Sequence, residues 1–167
     1  MYLLRHPLFE ADDGAFLKNV RIIGLGSPHG DDTFGWVVVD LLQRQIVPES
    51  VELVVLDRPG AALLSYLQDV DHVWVIDAAD MGEVPGTLHQ MDAVQLLREP
   101  RLASITSHGI GLIETLQLAD ACQITLPPIH VFLVQLAHLE SDQPLSPPVQ
   151  LSAETLAADI RDLFTSD

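Results

Sequence analysis

Val20-Arg21-Ile22-Ile23-Gly24-Leu25-Gly26-Ser27-Pro28-His29-Gly30-Asp31-Asp32-Thr33-Phe34-Gly35 is the stretch on which the fold turns. It passes from a short apolar segment, Val20–Ile23, through a glycine-rich loop into residues of helical period. Beyond the loop, Phe34, Val37, Val38, Leu41 and Leu42 recur at i, i+3, i+4, i+7 and i+8, which is one face of an α-helix. A strand, a glycine-bearing turn and an amphipathic helix in that order make the first unit of an open α/β sheet.

The alternation continues outward from this unit. Val51–Leu56 reads as a second strand, followed by Arg58-Pro59-Gly60 and a short helix across Ala61–Leu67. Val73–Ile76 is an uninterrupted apolar run, the pattern of a strand buried on both faces of a parallel sheet, and it closes on Asp77. A loop with Gly82, Pro85 and Gly86 leads to a strand over Thr87–Met91. Leu112, Leu116 and Ala119 mark a helix, and Val131–Val134 another strand. Ser141–Pro148 carries three prolines and reads as a loop. Ala153, Leu156, Ala157, Ile160, Leu163 and Phe164 form the apolar face of a closing helix, with Ser152 its expected N-cap. The fold class expected is α/β, a doubly wound, mostly parallel sheet with helices on both faces. Residues 1–19 read as an N-terminal extension and 20–167 as a single α/β domain.

Composition narrows the function. Of 167 residues 48% are hydrophobic and 19% charged, a globular balance. A domain of this length buries about 70% of its unfolded surface. Eight Lys+Arg against 24 Asp+Glu leave a net charge of −16, which repels phosphate backbones and argues against nucleic acid as a partner. Cys122 is the single cysteine, so neither an internal disulfide nor a multi-cysteine metal site can form. No run approaches 18 apolar residues and no signal peptide opens the chain, so a cytoplasmic protein without a membrane partner is expected.

Three side chains that carry chemistry stand beyond apolar runs: Asp32, Asp77 and His108. In an open α/β sheet, ligands bind at the carboxyl ends of the strands. Gly24 and Gly26 hint at a dinucleotide loop. However, His29 stands where the third glycine belongs, and Asp31 and Asp32 would repel a pyrophosphate at the helix N-terminus. The same carboxylates suit a cation. One of the two is expected to be a helix N-cap, assigned to Asp31, and the other, Asp32, a metal ligand. Asp77 at the end of a buried strand is costly without a cation or several hydrogen bonds. With His108 the set is O, O, N, which suits Ni²⁺ or Zn²⁺ and leaves positions open for water or substrate. His29, three residues before Asp32, is a candidate additional ligand. His6, His72, His89, His130 and His138 read as ordinary residues. An alternative is a non-catalytic, receiver-like signalling module that binds metal or phosphate, since Asp31-Asp32 and Asp77 imitate its acidic pair and phosphoacceptor. That pattern needs a late lysine, and the only lysine is Lys18.

These motifs, taken in order, resemble the hydrogenase maturation proteases, endopeptidases that trim the C-terminus of the [NiFe]-hydrogenase large subunit precursor. The resemblance covers residues 20–165. Ile22-Ile23-Gly24-Leu25-Gly26-Ser27 is similar to the family's strand and Gly-x-Gly-Asn loop, and Asp31-Asp32-Thr33-Phe34-Gly35 to its Asp-[Asp/Glu]-Gly-x-Gly block. Ile76-Asp77-Ala78-Ala79 with Pro85-Gly86-Thr87 is similar to its Asp-Ala…Pro-Gly-Thr segment. Thr106-Ser107-His108-Gly109-Ile110-Gly111-Leu112 resembles its [Ser/Thr]-x-His-x-x-Gly-Leu motif. Leu139-Glu140 and Leu145-Ser146-Pro147 echo late segments. The resemblance implies a metal-dependent endopeptidase with Asp32 and Asp77 as working carboxylates and Asp32, Asp77 and His108 as metal ligands. It also implies nickel carried by the precursor and used as a recognition mark, with another divalent metal as a substitute; whether that metal also polarises the peptide carbonyl or activates water, or serves recognition alone, the residues leave open. Three departures stand out: Ser27 replaces Asn, the Pro28-His29-Gly30 loop is one residue short, and Thr33 replaces Gly.

Overall fold

A computed structural model describes residues 19–45, 48–99, 111–139 and 143–165. In chain order the elements are β1 (Val20–Gly26), a 3-10 turn (Gly30–Thr33), α1 (Phe34–Gln43) and β2 (Val51–Asp57). A second 3-10 turn (Gly60–Ala62), α2 (Leu63–Tyr66), β3 (His72–Ala79), β4 (Leu88–Asp92) and α3 (Ala93–Arg98) follow. The chain closes with α4 (Leu112–Ala121), β5 (Ile129–Gln135) and α5 (Pro147–Thr165). The strands form one sheet in the order β2-β1-β3-β5-β4. β1, β2, β3 and β5 run parallel, and β4 joins the edge antiparallel to β5.

Side chains of a strand alternate between faces, and here both faces are covered. Ile22, Trp74, Ile76, Phe132 and Val134 point to one side, where Phe34, Val38 and Leu42 of α1 and Val149, Ala153, Leu156 and Ile160 of α5 close over them. Ile23, Leu25, Val73, Val75, Val131 and Leu133 point to the other, against Leu63 of α2, Leu96 of α3 and Leu112 and Leu116 of α4. Burial on both faces is why β1, β3 and β5 read as continuous apolar runs. No helix among the described residues is long and apolar enough to cross a membrane.

Several expectations shift. The strand expected over Thr87–Met91 is β4, one residue later, and the helix across Ala61–Leu67 divides into a 3-10 turn and a single α-turn. α3 was not expected. It begins with a reciprocal capping box, in which the Gln95 backbone N–H donates to Asp92 Oδ1 and the Asp92 N–H to Gln95 Oε1. α5 starts at Pro147, inside the stretch expected to be a loop, because proline is tolerated in a first helical turn where no N–H is required. Ser152 therefore lies within α5 and caps nothing. Its hydroxyl donates to Gly86 O at 2.6 Å, tying α5 to the loop after β3. Of the extension at 1–19 only Asn19 is described, and Ser141 and Asp142 also lie outside the described residues.

Candidate active site

In the order β2-β1-β3, the chain moves from β1 to one side for β2 and to the other for β3. The gap past β1 and β3 is thus the switch point at which open α/β sheets bind ligands. Pairing between the two strands ends at Gly24–Ile76, and Asp77 is the next residue of β3. β3 itself continues to Ala79 on its other neighbour, where Asp77 pairs with Leu133. Asp77 therefore sits at the mouth of the fork, two residues inside the end of its strand.

Glycines bring the other wall close. A Cβ at Gly35, the second residue of α1, would collide with the carbonyl oxygens of Leu25 and Ile76, so the helix starts directly over the fork. A Cβ at Gly24 would collide with Gly35 O, and one at Gly26 with Asp32 O. Gly24 and Gly26 thus serve close backbone packing, with no phosphate needed to explain them. Asp32 is held in the 3-10 turn against the end of β1, with its N–H donating to His29 O at 3.0 Å. Its carboxylate is buried, and the fully buried Ser27 hydroxyl donates to its Oδ2. The three departures from the family pattern are absorbed locally. Ser27 bonds Asp32, the short loop closes through His29 N–H to Ser27 O at 2.8 Å, and the Thr33 hydroxyl donates to Gly30 O at 2.8 Å.

Asp32 and Asp77 feel one another. Burial pushes the Asp77 carboxyl up to about 7, the negative charge of Asp32 adds to the rise, and the Ala78 N–H, donating to Asp77 Oδ1 at 2.8 Å, opposes it. A buried carboxyl so raised can donate or accept a proton near neutral pH, and with the neighbouring carboxylate it offers a donor set that a cation would relieve. Among the described residues no three His, Cys, Asp or Glu side chains cluster closely enough to hold an ion, so His29 does not join the pair as a third ligand. His108 lies outside the described residues.

Asp31 corrects an expectation. It caps no helix, because neither α1 nor the 3-10 turn before it takes a side-chain cap. Instead its fully buried carboxylate reaches the far end of the chain. Oδ2 accepts from Ala137 N (2.6 Å), His138 N (3.2 Å) and the Ser146 hydroxyl (2.9 Å), and Oδ1 from Ser146 N (2.7 Å). Four donors supply what a buried charge requires. The acidic pair is thereby split, which removes the joint chelation a receiver-like module depends on.

Two further residues were missed. Gln135, buried at the end of β5, accepts from Met81 N and Glu83 N and donates to Asp80 Oδ1 and Leu136 O, fixing the loop that leaves Asp77. It could have been found by the reasoning applied to Asp77, a polar residue closing a buried strand. Arg58, just past β2, has φ 42°, donates its N–H to Gly26 O and pairs with Asp57 at 2.6 Å. It also lies within electrostatic reach of Asp32. No local pattern announces it.

A family model described as "Hydrogenase maturation protease" matches residues 36–162. A Methanocaldococcus jannaschii protein, named provisionally as a hydrogenase maturation protease, is 34% identical over 98 residues, covering 57% of this chain and 63% of the relative. The chain thus spans less than two thirds of that relative's length. The hydrogenase expression/formation protein HupD of Bradyrhizobium diazoefficiens is 28% identical over 138 residues, 80% of this chain and 71% of the relative. In fold, the chain superimposes on the crystal structure of a [NiFe] hydrogenase maturation protease, HycI, from Thermococcus kodakarensis. The TM-score is 0.72 at 20% identity, with 96% of this chain and 100% of the other covered.

Proposed function

The chain belongs to the hydrogenase maturation protease family, and from that premise we propose that it is a cytoplasmic endopeptidase removing the C-terminal extension of a nickel-loaded [NiFe]-hydrogenase large subunit precursor. The observation that carries the reading is the coupled pair Asp32–Asp77 at the fork between β1 and β3, with Asp77 raised to about 7.

In this reading Asp32, Asp77 and His108 engage the nickel that the precursor brings, so that only a loaded precursor is held. Two carboxylates whose mutual repulsion is relieved by a cation fit such an ion, and imidazole completes an O, O, N set. Nickel so held would supply Lewis-acid polarisation of the scissile carbonyl. Asp77 supplies the proton traffic. Through a carboxylate oxygen not on the ion, it takes a proton from the attacking water as the C–O bond forms and returns it to the leaving amine as the C–N bond breaks. Asp32 is the second carboxylate that holds the cation. Other divalent ions are expected to compete for the same groups.

The test mixes the purified chain with nickel-loaded and nickel-free precursor and follows the extension by mass spectrometry. Cleavage confined to the loaded precursor is the expected result. Equal cleavage of both would remove nickel from the reading, and cleavage of neither would remove the substrate.

A further inference from the structure

Ser27 is buried completely, in the loop between β1 and the turn that bears Asp32. A buried hydroxyl costs free energy unless it is hydrogen-bonded, and this one is spent on Oδ2 of Asp32. Its own position is rigid. The carbonyl of Ser27 accepts the His29 N–H at 2.8 Å, and the Asp32 N–H returns to the His29 carbonyl at 3.0 Å. Gly26 beside it presses against the Asp32 backbone so closely that a Cβ would not fit. Donor and acceptor are therefore anchored to the same short turn, and Asp32 as a residue is barely exposed, at 4%.

We infer that Ser27 is a positioning residue: its buried hydroxyl fixes the orientation of the Asp32 carboxylate, so that the working carboxylate meets an incoming divalent cation in one preset geometry. The inference rests on Asp32 being a site residue, as proposed above, and adds the residue that aims it. A carboxylate on a single Cβ–Cγ bond otherwise rotates broadly. Hydrogen-bond partners of this kind orient a metal-binding group, and losing one weakens ion affinity by roughly 10–100-fold.

The experiment uses the full chain in five forms: wild type, Ser27→Ala, Ser27→Thr, Asp32→Asn and the double variant Ser27→Ala/Asp32→Asn. Each is titrated with Ni²⁺ alone by calorimetry, assayed on nickel-loaded precursor and melted thermally. Ser27→Ala should bind Ni²⁺ at least about tenfold more weakly, with KM raised in parallel. Ser27→Thr, which keeps the hydroxyl, should recover most of the loss. Adding Ser27→Ala to Asp32→Asn should cost no further affinity, because the group it aims is already neutral. That double variant keeps the inference testable if threonine does not fit.

Ni²⁺ affinity and KM at wild-type levels in Ser27→Ala, with Asp32→Asn impaired, would overturn the inference and leave the site reading intact. A lowered melting temperature with unchanged affinity would overturn it too, reducing Ser27 to a structural residue. If Asp32→Asn itself binds and cleaves like wild type, the site reading is what fails. Should free Ni²⁺ bind no form measurably, KM and kcat on the precursor decide in the same way.

Discussion

Replacing Asp77 by Asn removes one ionisation and little else: the volume is kept, and an amide oxygen can still accept from the Ala78 N–H. The wild-type carboxyl rises from 3.8 unfolded to about 7 folded, chiefly through burial and then through the charge of Asp32. The folded state therefore holds this proton more tightly than the unfolded chain. The associated stability is complete below about pH 4 and is lost as pH climbs to about 7, with no further change above. A shift of about three units sets a ceiling of roughly 4 kcal/mol. Asp77 is not wholly enclosed, and buried sites relax, so about half that ceiling is expected. The sequence pI of about 4.4 makes pH 5 a practical lower limit against precipitation. Between pH 5 and pH 8 the Asn variant should gain about 0.5–1 kcal/mol on wild type, or about 2–3 °C in Tm for a chain of this size.

The assay is thermal unfolding of both proteins across that range at constant ionic strength. Every other titrating group is shared, so the difference between the two curves isolates Asp77. Ni²⁺ at pH 8 should raise the wild-type Tm and leave the Asn variant nearly unmoved, because a cation offsets the repulsion that the substitution abolishes. An offset independent of pH, or an Asn variant that loses ground as pH rises, would refute the argument. The same variant should fail to process nickel-loaded precursor while remaining folded.

Asp31→Asn should lose about 3 kcal/mol, seen as a fall in Tm at every pH above 5, because either orientation of the amide turns an NH2 toward buried N–H or O–H donors. Gly26→Ala forces a Cβ into Asp32 O; it should cost about 1–3 kcal/mol and abolish processing, read from Tm and cleavage together. His108→Ala should cut processing and Ni²⁺ affinity with Tm unchanged. Cys122→Ala, at an exposed position, should stay within about 0.5 kcal/mol of wild type and process normally, since no thiolate takes part.

What the sequence disclosed follows from how far each signal reaches. Phe34, Val38 and Leu42 carry a helix and its buried face within nine residues, and the apolar run ending at Asp77 carries a buried strand within five. α3 was hidden for the opposite reason. It has one buried residue, Leu96, while Val94 and Leu97 are 55% and 44% exposed, so its apolar period is blurred and only the Asp92–Gln95 cap betrays it. Asp31 and Asp32 are chemically identical neighbours with different work. What separates them is Ala137, His138 and Ser146 returning more than 100 residues later to meet one carboxylate and not the other.

That division has a consequence for the site. Asp31 ties the turn that bears Asp32 to Ser146, the residue before α5, while Ser152 and Gln135 tie α5 and β5 to the loop leaving Asp77. The two carboxylates thus stand on a turn and near a strand end that are braced against the same late segment of chain, and their proximity, which adds to the rise that burial gives Asp77, is maintained by groups outside the site. Asp31→Asn should then perturb function through geometry, with the pH-dependent component of stability in Asp77 shrinking as Asp32 drifts from it. Asp31→Asn combined with Asp77→Asn measures this in thermal unfolding: the gain of the second substitution at pH 8 should be smaller in the Asp31→Asn background than in wild type. An unchanged gain would mean that the brace does not set the distance between the two carboxylates.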